Sequence, residues 1–234
     1  MGERLDKFLA SQGLGTRKEV GKLIRSGAVL VNGAPQRDPG AKVEPGADQV
    51  TAQGEEIRYQ EFLTIMLNKP AGVLSATEDR RQKTVLDLLP EGLRRRGLFP
   101  AGRLDKDTTG LLLITDDGEL AHKMLSPKSH VYKQYRAQLD APVEEADIQA
   151  FAAGVAWEGE QYAPARLWVE QDPRAAFVEI REGRFHQVKR MFQARGKTVL
   201  QLKRLKIGGL WLDSTLQEGE CRLSLIHISE PTRP

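Results

Sequence analysis

A chain of 234 residues, 40% of them hydrophobic, has length for one large domain or two smaller ones with a substantial core, which excludes a disordered protein. Its formal net charge of +3 is unevenly spread: residues 1–42 carry eight Lys/Arg against four acids, residues 181–206 nine against Glu182 alone, and residues 138–172 eight acids against Arg166, a polarity that points to a polyanionic partner met on one side. Cys221 stands alone, so an intramolecular disulfide is excluded, no run approaches the roughly 18 apolar residues of a membrane helix, and the start MGERLDKFLA lacks a signal peptide's apolar stretch; a cytoplasmic protein with no membrane partner is expected.

In chain order, residues 4–12 place Leu5, Phe8 and Leu9 at helical spacing. A second helix follows. Thr16 is its N-cap, with Glu19 three residues later as in a capping box, Val20, Leu23 and Ile24 as its apolar stripe, and Gly27 at its end. Arg17, Lys18, Lys22 and Arg25 then cover the solvent face, as a basic helix suited to phosphates. AVLVNGAP reads as a strand entering an Asn-Gly turn, with a partner strand near Asp48–Ala52. Residues 1–58 are thus expected to form a small helix-helix-hairpin domain.

The pattern resets near Arg58. FLTIMLNKP reads as an apolar strand stopped by Pro70, Asp79–Lys83 as a loop, and TVLDLLP as one or two helical turns. GRLDKDTTGLLLITDDGEL then sets four charges beside the apolar run Leu111–Ile114, followed by a DDG turn and a helix ELAHKML. Lys133–Leu139, Ala165–Val169 and AAFVEIREG read as strands, Glu144–Gly154 as a helix, and FHQVKRMFQARG as a helix with Val188, Met191 and Phe192 on its apolar side, ending at Gly196. TVLQLKRLKIGGLWL supplies the last strands. Strands and helices do not alternate, so residues 59–223 are expected to form an α+β domain around a mainly antiparallel sheet. Trp157, Trp168 and Trp211 are expected in the core. Residues 224–234 follow no pattern and are read as a non-native tail.

Several chemistries lack their residues. The four histidines are scattered and cannot be grouped with one cysteine into a metal site, so no metal is expected. No P-loop, dinucleotide fingerprint or GxSxG element is present. Asp105 and Asp107 lie along one chain and cannot flank a sugar from opposite sides as a glycosidase pair does. A single carboxylate working without a cofactor is what remains.

The segments GRLDKDTTGLLLITDDG and EGRFHQVKRMF with LKIGGLWL resemble the catalytic and third motifs of pseudouridine synthases, in the RsuA branch that isomerises uridines of ribosomal RNA. YKQYRAQL resembles that family's tyrosine motif, FLTIMLNKPAGVLS the start of its catalytic domain, and RLDKFLA with TRKEVGKLIRSGAVLVNG the small RNA-binding module of a ribosomal small-subunit protein. The resemblance spans residues 3–222. It implies that Asp105 is the essential carboxylate, that Tyr135 stacks under the target base and could accept its C5 proton, and that Lys189 stands against the aspartate, with adjacent Arg190 as the other candidate. Arg103 would help extrude the uridine or hold a phosphate. Arg17, Lys18, Lys22, Arg25 and Arg190 would contact the RNA. His186 would be structural. No cofactor is implied, because the reaction is an isomerisation. The expected partner of a monomeric enzyme is 16S rRNA, naked or within a small-subunit assembly intermediate. The alternatives are a 23S rRNA enzyme, a non-catalytic RNA-binding or ribosome assembly factor, or an N-glycoside hydrolase.

Overall fold

The structure, a computed structural model, describes residues 2–57, 59–95, 97–126, 129 and 131–224. The chain forms two compact units, one made of Met1–Leu63 with Leu89–Leu98, the other of Thr64–Leu88 with Phe99–Pro234. Sequence reading had set the boundary at residue 58 and had left Leu89–Leu98 in the second unit. Within the first unit, Arg95 of that segment donates to the carbonyls of Gln60 at 3.1 Å, Glu61 at 3.0 Å and Ser11 at 3.3 Å. Such charge-assisted bonds tie the segment to the first unit, and nothing in its local pattern announces them.

The first unit holds helices α1 (Leu5–Ser11) and α2 (Arg17–Ser26) and a four-stranded sheet that includes Val29–Val31 and Val50–Ala52. α2 starts at a complete capping box between Thr16 and Glu19 and stops at left-handed Gly27, where only glycine lacks the Cβ penalty. Leu5, Phe8, Leu9, Val20 and Ile24 are at most 1% exposed and pack with Val29, Val43 and Val50. Each such side chain contributes about 1.5–3 kcal/mol, which is what holds so small a module together. Lys18, Lys22 and Arg25 remain exposed on the opposite face of α2.

The second unit is built on strands β1 (Thr64–Lys69), β2 (Thr109–Thr115), β3 (Lys133–Leu139), β4 (Arg166–Val169), β5 (Ala175–Ile180), β6 (Val199–Ile207) and β7 (Cys221–Leu223). They lie in the order β4–β5–β3–β6–β2–β1–β7, with short strands Phe99–Pro100 and Leu210–Trp211 attached. Every pairing is antiparallel except β2 with β6. β2 is the buried spine: Leu111 to Ile114 are at most 1% exposed. Its parallel register sets Gly110 opposite Arg204. Gly110 has φ +97°, and a Cβ there would land on the Arg204 backbone, so the chain can enter β2 at this point only through glycine. Helices α3 (Gly118–Leu125), α4 (Glu145–Ala153) and α5 (Gln187–Gln193) complete the unit.

The expected elements are present with local differences. The expected α5 began at Phe185 and ran to Gly196, but it spans only Gln187–Gln193, because His186 takes a left-handed conformation, φ 52° and ψ 24°. That turn separates Phe185 from the buried stripe of Val188, Met191 and Phe192. The TVLDLLP segment makes one 3-10 turn, Val85–Leu88. The expected core tryptophans are not core: Trp211 is 53% exposed beneath the Lys206 ammonium, and Trp157 and Trp168 are half-buried. Ser224, the first residue of the expected tail, extends the β1–β7 pairing by donating to the Thr64 carbonyl at 2.8 Å; residues 225–234 lie outside the described residues.

Candidate active site

Asp105 sits on the turn that leads from Phe99–Pro100 into β2. Three groups from the β1 edge fix this turn. Ser75 Oγ donates to the Leu104 carbonyl at 2.9 Å and accepts from the Leu104 N–H at 3.1 Å, and the Gly72 N–H donates to the Lys106 carbonyl at 2.8 Å. Lys69, fully buried at the end of β1, points its ammonium at the carbonyls of Pro70, Asp105, Lys106 and Thr108 at 3.0–3.2 Å. Burial pulls this ammonium down to about 8 from its ordinary 10.5, and nearby Asp107 and Asp105 oppose that shift. The Asp105 backbone is therefore held rigidly, as placing a reactive group demands.

The Asp105 side chain is 23% exposed. Lys189 Nζ lies 3.3 Å from its Oδ2 and His186 Nε2 3.6 Å from its Oδ1. The same Lys189 ammonium donates to Asp107 Oδ1 at 2.6 Å, and this bond holds the Asp107 carboxyl below its ordinary range. Lys189 thus serves two carboxylates. Arg190 turns elsewhere, to the Tyr162 hydroxyl at 3.3 Å and to Glu160 at 3.5 Å, so of the two expected candidates the lysine is the one beside the aspartate.

Two cavities meet at Asp105. One, of about 400 Å³, is walled by Tyr135, Lys133, Ile180, Thr108 and Arg204. The other, of about 660 Å³, is walled by Phe185 and by the 71–76 loop. Arg103, Leu104, Asp105 and His186 line both. Both volumes are typical of ligand sites. Tyr135 is 7% exposed and stands across from Arg204 in the β3–β6 register, with the Arg204 guanidinium 3.5 Å from its hydroxyl. Arg204 is itself buried and anchors to the Leu111 carbonyl at 2.8 Å. Asp105, Tyr135, Lys189 and Arg103 are accordingly gathered in one place. Of the expected RNA contacts in the first unit, Arg17, Lys18, Lys22 and Arg25 are all exposed, and Arg17 also bonds Asp6 at 2.9 Å.

Sequence reading missed Lys69 and Arg204 and named His186 as structural, a residue whose imidazole lies beside Asp105. Lys69 carried a signal, a lone lysine closing the apolar run FLTIML; the partners of Arg204 are brought to it only by strand pairing, Tyr135 across β3–β6 and Leu111 across the parallel β2–β6 crossing.

Residues 63–194 match the model of the RNA pseudouridylate synthase family, and residues 3–48 match that of the S4 domain. The chain belongs to the RNA pseudouridylate synthase family. It is 47% identical over 223 residues to RNA pseudouridine synthase YtzG of Bacillus subtilis (strain 168), covering 94% of this chain and 93% of that one. It is 42% identical over 221 residues to ribosomal small subunit pseudouridine synthase A of Vibrio cholerae serotype O1, covering 94% of each. The crystal structure of a pseudouridylate synthase matches with TM-score 0.64 at 39% identity, over 94% of this chain and 95% of that one. This pseudouridine synthase therefore carries its family's catalytic domain behind an S4 domain. Among the described residues no cluster could hold a metal ion, and no helix is long and apolar enough to cross a membrane.

Proposed function

We propose that this enzyme isomerises one uridine of small-subunit (16S) ribosomal RNA to pseudouridine, with Asp105 as the single catalytic carboxylate and no cofactor. The observation that carries the reading is one cavity of nucleoside size lined by both Asp105 and Tyr135, with the Lys189 ammonium 3.3 Å from the Asp105 carboxylate. The C1′–N1 bond breaks, the base turns, C1′ joins C5, and the C5 proton is finally lost while N1 gains one. Atoms and electrons balance without an oxidant or a hydrolytic water, so no redox or group-carrying cofactor is called for. Asp105 must be ionised to attack the ribose or to remove a ribose proton, and the Lys189 ammonium stands 3.3 Å from its carboxylate. Tyr135 supports the extruded base by stacking and is the candidate acceptor of the C5 proton. Its position against Arg204 fixes the ring.

Arg103 on the cavity rim suits a phosphate, and Lys18, Lys22 and Arg25 on the exposed face of α2 suit the RNA backbone beyond the target. Small-subunit rRNA is favoured as substrate by the likeness along nearly the whole length to ribosomal small subunit pseudouridine synthase A. A monomer acting in the cytoplasm, on naked rRNA or on an assembly intermediate, fits this reading. The test is release of tritium from 16S rRNA labelled at uridine C5, with the modified position mapped. Release without free uracil is expected. Free uracil would mark a hydrolase, modification of 23S rRNA alone would move the substrate to the large subunit, and RNA binding without release would mark a non-catalytic factor.

A further inference from the structure

The second cavity beside Asp105 has no task in the chemistry above. Its distinctive wall is Phe185, 62% exposed. Water normally drives a phenyl ring of this size inward, and this ring is kept out by two devices. The left-handed turn at His186 breaks the helix directly after it and aims it away from the α5 core stripe. The ring is then clamped, stacked on the His186 imidazole at a centroid distance of 3.8 Å and an angle of 18°, with the Arg190 guanidinium 5.2 Å from its centroid. Positive φ at a histidine is uncommon and costs free energy, so its place beside the reacting carboxylate is informative. Leu74, Ala71 and Ala76 add apolar surface, and the margin carries the cations Arg103 and Lys106 beside the carboxylates of Asp105 and Asp107. An apolar slot with an aromatic wall and two cations on its margin matches a nucleobase attached to its phosphate.

We infer that this cavity is a second nucleotide subsite, which holds the base adjacent to the target uridine against Phe185 while the uridine occupies the Tyr135 cavity. The inference rests on the uridine-isomerase reading. Asp105, Arg103 and His186 form the partition between the two subsites, so seating one base in each draws the intervening sugar and phosphate across the partition, over Asp105. Unstacking the uridine from its neighbour is the main cost of extrusion, and a replacement platform for that neighbour offsets it. Phe185 is on this account a specificity residue, engaged only by substrate that brings a flanking base.

The test uses the full-length enzyme and a short synthetic RNA spanning the uridine mapped in 16S rRNA, tritiated at its C5, with an abasic site placed 5′ or 3′ of that uridine. For the unmodified enzyme one of the two abasic RNAs should lower kcat/KM by about ten- to a hundredfold. Phe185→Ala should show the same loss on intact RNA and no further loss on the abasic one, whereas Phe185→Trp should keep the sensitivity. Thermal unfolding of Phe185→Ala should match the unmodified enzyme, because the ring is exposed. Equal losses from the abasic site in both proteins, or indifference of the unmodified enzyme to both abasic RNAs, would overturn the subsite while leaving the isomerase reading intact. Absence of pseudouridine in any intact RNA would overturn the isomerase reading itself and the subsite with it.

Discussion

Two aspartates in the second unit each sit among cations, and they are treated in opposite ways. Asp147 is 1% exposed, and both its oxygens are engaged: Oδ1 by Arg195 at 3.0 Å, Oδ2 by Lys197 at 2.7 Å and by the Glu144 N–H at 2.9 Å at the start of α4. Burial works to raise its pKa and is outweighed by Lys197, the Glu144 amide and Arg195, which leave it below its ordinary range. Asp105 is partly exposed and meets Lys189 and His186 at 3.3 and 3.6 Å, with no hydrogen bond to its carboxylate among the described residues. The shorter bond of Lys189 goes to Asp107. A carboxylate whose lone pairs are all taken can only hold the fold. One that is charge-balanced yet free of hydrogen bonds keeps its lone pairs for a substrate.

The sharpest way to break this comparison is to neutralise each aspartate in turn. Asp105→Asn should abolish tritium release and leave thermal unfolding within about 2 °C of the unmodified enzyme, because asparagine keeps the shape and Lys189 keeps its shorter bond to Asp107. Asp147→Asn should do the reverse. It strands Lys197, itself only 8% exposed, without a counter-charge, and losing one partner of a buried pair costs about 3–5 kcal/mol. In a chain of this length that lowers the melting temperature by roughly 6–20 °C, while the activity per folded molecule should persist at low temperature. An active Asp105→Asn enzyme, or an Asp147→Asn enzyme with an unmoved melting temperature, would erase the distinction.

Lys189 tests the Asp105 cluster from its cationic side. Lys189→Ala removes the ammonium shared by Asp105 and Asp107, a loss of about 1–3 kcal/mol that should slow turnover by roughly ten- to a hundredfold. Lys189→Arg should retain part of the rate, since the charge survives and its geometry changes. Arg190→Ala should slow the reaction less, because its guanidinium engages Tyr162 and Glu160. A larger effect at Arg190 than at Lys189 would reverse the assignment.

How much of this was legible in the sequence differs between the same two clusters. The Asp105 cluster was readable because its residues lie in dense local motifs: GRLD places Asp105 just before an apolar run, and FHQVKR places Lys189 off the helix's apolar stripe. The structural one was not, because Asp147 meets Arg195 and Lys197 across about fifty residues, and only the packing of α4 near the turn after α5 makes them neighbours. Nothing in the sequence shows why residue 110 must be glycine, because that requirement comes from the Arg204 backbone. The start of α5 was misplaced because periodicity at Phe185 and His186 is indifferent to one left-handed residue. Local pattern specifies elements and motif-borne chemistry; contacts made by parallel pairing or by one long side chain, such as Arg95, leave no periodic trace.

Asp6 in the first unit offers an intermediate case and the smallest expected effect. Like Asp147 it is little exposed, at 7%, and is held by two cations, Arg4 at 3.0 Å and Arg17 at 2.9 Å. Like Asp105 its cations reach into solvent, for the Arg4 and Arg17 side chains are 47% and 53% exposed. The Arg4 hydrogen bond contributes most to holding the Asp6 carboxyl down at about 2, from 3.8, with Arg17 adding to it against the effect of burial. The folded value lies below the unfolded one, so the stabilisation is complete above about pH 5 and drains away as the pH falls through 3.8 toward 2. Solvent screening of the two arginines reduces the contribution to about 1 kcal/mol. Hydrogen exchange of the α1 and α2 amides, followed from pH 6 to pH 2, should show Asp6→Asn less protected than the unmodified protein at pH 6, with the gap closing near pH 2. A gap of constant size across that range would mean that Asp6 acts through packing alone. A gap as large as that expected for Asp147 would mean that exposure of the partner cations does not weaken the pairing, and the contrast between buried and exposed clusters would then lie in hydrogen bonding and not in solvent.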